Sequence, residues 1–185
     1  MITTRSRRAS AVQSPHQLLL VATPLGDLAL IHDRAALLGV ELPGPRLAEQ
    51  LSARWGHAAP DEGSPRWVRR LARRVAGHLS GRLDPFRDVP VDLSALTPFR
   101  RAVLEAARAI PPGEVRTYGD LARDVGRPGA ARAVGGAMGA NPAPLVIPCH
   151  RVVAAGGLGG FSGPGGLAIK RALLAAEGVE AGPPA

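Results

Sequence analysis

The chain has 185 residues, 45% of them hydrophobic and 21% charged, which excludes a fibre or a disordered tail and allows one folded domain or two small ones. Its formal net charge is +8, from 23 Lys and Arg against 15 Asp and Glu, and Lys170 is the only lysine. That balance suits a polyanionic partner, and the planar arginine fork matches phosphate, although the chain is equally rich in Ala, Gly and Pro.

Residues 1–15 read as a flexible tail, rich in Arg and Ser and without the apolar centre of a secretory signal. No run approaches the roughly 18 apolar residues of a membrane span, so a cytoplasmic protein is expected. His16 to Ala22, Leu28 to His32 and Ala36 to Leu42 are apolar runs of strand length. Turn residues Thr23 to Asp27 and Asp33 to Ala35 separate them, which predicts an antiparallel meander. A short helix is expected around Leu47 to Arg54. Ser64 and Pro65 look like a cap and first position for a helix to Leu79, with Trp67, Leu71, Val75 and Leu79 on one face. Its arginines read as a solvated face in preference to a DNA contact. Gly81 to Pro90 reads as a linker, and Val91 to Leu93 as a last short strand. The domain boundary falls between Gly81 and Leu96, giving an N-terminal α/β domain at 16–90, a second domain at 91–180 and a tail at 181–185.

The second domain is mostly helical. Thr97 and Pro98 start a helix striped by Phe99, Val103, Ala107 and Ile110, which Pro111, Pro112 and Gly113 stop. Thr117 and Asp120 form a capping box for a short helix ending near Gly126. After Arg127, Pro128 and Gly129, another helix runs from Ala130 to about Ala140. The pair is a helix-turn-helix candidate. Its second helix holds Gly135, Gly136 and Gly139, each costing about 1 kcal/mol against alanine in an exposed interior. The benefit is a smooth face that lies flush against a neighbouring helix or a nucleic-acid groove. Leu145 to Ile147 reads as a buried strand, Ala154 to Gly166 as a glycine-rich loop, and Leu167 to Glu177 as the last helix. The fold class is α+β, an antiparallel sheet domain followed by a helical, winged-helix-like DNA-binding domain.

Cys149 is the only cysteine, which excludes an intrachain disulfide and a cysteine-cluster zinc site. It is either a small buried hydrophobe or a reactive thiol, and His150 and Arg151 beside it favour the thiolate. In an extended segment consecutive side chains point apart, so a kink at Pro148, or a water between the groups, is needed to link His150 to the sulfur.

The stretch Asn141-Pro142 to Ile147-Pro148-Cys149-His150-Arg151-Val152 resembles the active-site signature of the O6-alkylguanine-DNA alkyltransferases. The likeness extends from Leu96 to Gly178, through Tyr118-Gly119, Ala131-Arg132-Ala133-Val134-Gly135, Gly160-Phe161-Ser162 and Glu177-Gly178. It implies direct-reversal repair, in which a thiolate takes the alkyl group from guanine O6, with O4-alkylthymine a further candidate, and keeps it as a thioether. Cys149 then matches the nucleophile, His150 its water-linked base, Glu177 the carboxylate orienting that base, and Asn141 the brace of the turn. Tyr118 matches the hydroxyl that serves guanine N3. Arg132 matches the residue replacing the extruded nucleotide, with Ala131, Gly135 and Thr117 at the DNA. Val152, Phe161, Ser162 and Met138 are expected at the pocket. Double-stranded DNA is the implied partner and no cofactor or metal is implied. A monomer is expected, with cooperative assembly on DNA left open.

This chain departs from the pattern at Phe161, where many relatives carry tyrosine, and in a loop at 162–166 about one residue longer than the shortest versions. The cysteines that hold zinc in some relatives are missing before Cys149. The alternative reading is a lesion-binding or transcription-related module with an idle cysteine. A cysteine hydrolase is poorer, for lack of a clear oxyanion hole.

Overall fold

The computed structural model describes residues 16–56, 59–60 and 63–180. The expected tails at 1–15 and 181–185 lie outside the described residues. Three strands, β1 (Gln17–Val21), β2 (Leu28–His32) and β3 (Leu37–Glu41), form the expected antiparallel meander, with Leu19 opposite Leu30 and Leu30 opposite Val40. Every residue of β2 is buried, as its central place in the sheet requires. The Asp33 carboxylate closes the second turn by accepting from the Ala35 and Ala36 amides at 3.0 and 2.9 Å. Helix α1 (Leu47–Trp55) follows, then a two-residue strand β4 (Ala59–Pro60) parallel to β1.

Helix α2 (Arg66–His78) buries Val68, Leu71 and Val75, each contributing roughly 1.5–3 kcal/mol of apolar burial, and leaves Arg66, Arg69, Arg70 and Arg73 exposed. Ser64 does not cap it. Pro65 holds the cap position, and the buried Ser64 hydroxyl is instead hydrogen-bonded to His32 Nε2 at 3.0 Å. The stretch from Gly81 to Pro90 is a packed strap, not a loose linker. Phe86 and Val89 are buried, and Arg74 grips Asp84 and Asp88 at 2.7 and 2.6 Å. The Arg108 guanidinium holds the carbonyls of Phe86 and Val89. Val91 pairs with Leu37 by a single bridge, less than the strand expected.

Helix α3 (Pro98–Arg108) starts at the Thr97 cap and buries Val103, Leu104 and Ala107. Strand β5 (Arg116–Thr117) leads into α4 (Tyr118–Asp124), whose capping box has both arms: Thr117 Oγ1 accepts from the Asp120 amide at 3.1 Å, and Asp120 Oδ2 from the Thr117 amide at 2.7 Å. Helix α5 (Ala131–Gly139) completes the helix-turn-helix and packs on α3 and α4. Leu145 and Val146 form a turn and Ile147 makes only a single bridge with Pro144, so the run is not a strand. Asn141 replaces strand pairing there: its Oδ1 accepts from the Ala143 amide at 3.0 Å and its Nδ2 donates to the Ile147 carbonyl at 2.8 Å. A single 3₁₀ turn (Cys149–Arg151) leads to β6 (Val152–Val153), parallel to β5, and α6 (Gly166–Ala176) ends the fold.

Two apolar clusters result. One joins the first sheet and α2 to Ala143, Leu145, Val146 and Leu173, and the other joins α3, α4 and α5 to Ile147, Cys149 and Val152. The segment carrying the cysteine therefore runs along the seam between them.

Candidate active site

Pro148 stands at the cap of the 3₁₀ turn, and the Arg151 amide donates back to its carbonyl at 2.9 Å. This is the kink that an extended reading of Cys149 and His150 lacked. Cys149 is 9% exposed, and that remnant opens on a cleft of about 1030 Å³. Tyr118, Arg132, Met138, Asn141 and Phe161 share its lining, while Glu41 and Arg54 contribute a wall from the N-terminal sheet and α1. Burial pushes the thiol pKa up, and a hydrogen bond with Asn141 and the positive charge of Lys170 oppose that rise. The resting group is thus a thiol whose proton must be removed before it attacks.

Behind the turn lies a buried charge cluster. Glu177 caps the C-terminus of α6, where the helix dipole disfavours an anion. Its Oε1 accepts from His150 Nε2 at 2.8 Å, His78 Nε2 at 3.0 Å and Arg151 Nη2 at 2.8 Å, and its Oε2 from Arg151 Nε at 2.9 Å and the Gly113 amide at 3.2 Å. Burial alone would raise the Glu177 carboxyl, but the hydrogen bonds from His150, His78 and Arg151 together outweigh it and hold the group well below the usual carboxylate range. Arg151 also donates to the Ile110 carbonyl at 2.7 Å. Burial lowers the His150 pKa against the pull of Glu177, so the imidazole is neutral near pH 7. With Nε2–H committed to Glu177, its buried Nδ1 has no protein hydrogen-bond partner among the described residues. A neutral imidazole with one open lone pair is a proton acceptor.

The other expected residues fall into two groups. Ala131, Arg132, Gly135 and Met138 on α5, with Phe161 and Ser162 from the loop, line the cleft beside Cys149 and Tyr118. The Tyr118 hydroxyl donates to the Gly160 carbonyl at 3.3 Å. Arg132 is exposed and has no carboxylate partner among the described residues. A Cβ on Gly136 would meet nothing within 4 Å, so the fold does not demand glycine there. Val152, expected at the pocket, does not line the cleft. The Val152 side chain is fully buried in the second core, because β6 pairs with β5, and only its carbonyl turns toward Lys170. Thr117 spends its hydroxyl on Asp120 as the α4 cap.

Sequence reasoning missed His78, gave Lys170 no role beyond a place in the family likeness, and left Arg151 as mere basic surroundings. His78 lies three residues after Val75 and seven after Leu71, on the buried face of α2, which is the signal it offered. The fully buried Lys170 donates to the carbonyls of Val152, Leu158 and Gly160 at 2.7, 2.6 and 3.3 Å, and desolvation lowers its pKa to about 8. Its place on the face of α6 that also carries Leu173 and Leu174, while Arg171 beside it faces out, was the signal. Among the described residues no cluster of His, Cys, Asp and Glu is arranged to hold a metal ion, and no helix is long and apolar enough to cross a membrane.

The second helix of a helix-turn-helix, carrying an exposed arginine, thus shares a cleft with a cysteine whose neighbour forms a buried imidazole–carboxylate pair. Residues 98–179 match the family model for the DNA-binding domain of 6-O-methylguanine DNA methyltransferase. The methylated-DNA–protein-cysteine methyltransferase of Salmonella typhimurium is 40% identical over 162 residues, covering 85% of this chain and 93% of that protein. The crystal structure of the Mycobacterium tuberculosis O6-methylguanine methyltransferase gives a TM-score of 0.73 at 37% identity, covering 88% of this chain and 92% of that one. The M. tuberculosis OGT in complex with DNA gives 0.69 at 34% identity over the same shares. The chain belongs to the methylated-DNA–protein-cysteine methyltransferase family.

Proposed function

We propose that this protein repairs duplex DNA by moving the alkyl group of O6-alkylguanine onto Cys149. The thiol proton passes through a water to His150 Nδ1, while Glu177 holds the ring by Nε2–H. Sulfur attacks the alkyl carbon, the C–S bond forms, and the C–O6 bond breaks with its electron pair passing to the purine. Tyr118 serves guanine N3 with its hydroxyl, so the departing base does not carry a full negative charge. The target oxygen is buried in the duplex, so the nucleotide must leave the stack. Arg132 fills the gap, the small residues Ala131 and Gly135 let α5 enter the minor groove, and Thr117 presents the start of α4 to the backbone. Met138, Phe161 and Ser162 receive the base. Asn141 keeps the turn in shape. The thioether is a poor leaving group, so each molecule reacts once.

The observation that carries this reading is a thiol at the floor of an open cleft with a neutral, oriented imidazole behind it. A cytoplasmic location goes with it, since a reducing compartment keeps Cys149 a thiol. The test is intact-mass measurement after mixing with a duplex carrying O6-methylguanine. The expected result is a gain of one methyl on Cys149, absent in Cys149→Ser, which still binds the duplex. No gain in the unmodified protein refutes the reading and leaves the idle-cysteine alternative.

A further inference from the structure

Glu177 receives two imidazoles on the same oxygen, and their surroundings differ. His78, from α2 of the N-terminal sheet domain, accepts a hydrogen bond from the Asp84 amide on Nδ1 at 3.0 Å. A backbone amide only donates, so His78 Nδ1 keeps its lone pair and the ring proton sits on Nε2, which donates to Glu177 Oε1 at 3.0 Å. The ring is fully buried and packs at a tilt against Phe86, centroids 5.1 Å apart, within the strap that Arg74 clamps through Asp84. His150 has the same Nε2 contact, but its Nδ1 is open. Two chemically identical side chains on one carboxylate are thus differentiated by a single backbone amide.

We propose that His78 is a positioning residue for alkyl transfer, a neutral donor locked in one tautomer by the Asp84 amide, which fixes Glu177 from the N-terminal side and leaves His150 as the one imidazole able to take the Cys149 proton. The groups facing this carboxylate are His78 from α2, His150 and Arg151 from the 3₁₀ turn, and the Gly113 amide. The proposal rests on the reading of Cys149 as alkyl acceptor. The two imidazoles compete for the same oxygen, so loss of the His78 donor leaves Glu177 a stronger acceptor for His150 and favours the protonated, inactive ring.

The test compares His78→Phe, which removes the donor, with His78→Gln, whose carboxamide still donates and has no proton to gain. Alkylation of Cys149 is followed by intact mass against pH, once with iodoacetamide and once with the O6-methylguanine duplex, and duplex affinity is measured in parallel. In His78→Phe the acid limb of both profiles is expected to move up by about half a pH unit or more, roughly a threefold loss on that limb, with affinity unchanged. His78→Gln is expected to return the limb to the unsubstituted position. A His78→Phe profile that overlays the original overturns the proposal, as does a His78→Gln profile displaced like that of His78→Phe. If His78→Phe does not fold, the His78→Gln profile decides alone: an unmoved limb supports the proposal and a moved one overturns it. A shifted iodoacetamide profile with no methyl gain from DNA in the unsubstituted protein supports the role of His78 and rejects the repair reading.

Discussion

Replacing Glu177 by glutamine keeps the shape of the side chain and removes the one negative charge among two imidazoles and Arg151. Arg151 is 1% exposed, and three of its hydrogen bonds end on that carboxylate, so the substitution strands a buried cation. Breaking a buried pair by removing one partner costs about 3–5 kcal/mol. At about 2–4 °C per kcal/mol for a chain of this size, melting should fall by about 6–20 °C. The domain should still fold, since total stabilities run to about 5–15 kcal/mol. The pH dependence has a definite sign. The folded Glu177 pKa is depressed, so its contribution is fully present above the ordinary carboxylate pKa and is lost as pH falls through and below it. Urea unfolding of the two proteins should show the full gap at pH 7 and a closing gap below about pH 4. Glu177→Gln combined with Arg151→Met should recover much of the loss, because the stranded charge goes with it. A gap below about 1 kcal/mol at neutral pH, or one that persists unchanged in acid, refutes this account of the cluster.

Thr117→Ala removes the cap of α4 and should cost about 1 kcal/mol by urea unfolding, with the thiol chemistry of Cys149 preserved. Gly159 sits at φ 68°, and a Cβ there would stand 2.9 Å from the Tyr118 ring. Gly159→Ala should therefore cost about 1–2 kcal/mol in backbone strain alone and slow methyl transfer in the mass assay by displacing Tyr118. Duplex affinity should fall linearly in log–log form with salt. Arg132→Ala should slow methyl transfer and leave the salt slope unchanged, while a slope reduced by about one would assign Arg132 to a phosphate instead of the base stack.

Where a local signal was sufficient, the residues announced the structure. The Thr117 and Asp120 box, the Thr97–Pro98 start and the three apolar runs of the meander all depend on neighbours a few positions away. Leu145 to Ile147 misled because hydrophobicity reports burial and not conformation: the run is buried between two cores and bent by Asn141, and Leu145 takes φ 75°. Ser64 and Pro65 carried a sound capping pattern, which the buried contact with His32 overrode. The cluster around Glu177 was half legible. The pairing of Glu177 with His150 is legible through the family signature. His78 lies 99 residues from Glu177, and no pattern within α2 says which group its ring will meet.

The distribution of primary amines has a practical consequence. Lys170, the only lysine, is fully buried and clamped by three carbonyls beside the glycine-rich loop, while the remaining positive side chains are guanidinium groups. An amine-directed acylating reagent therefore has no lysine to reach on the folded surface. Acylation of Lys170, followed over time, becomes a clock for the opening of the loop and helix around the thiol, and it leaves the arginines that meet a polyanion unmarked.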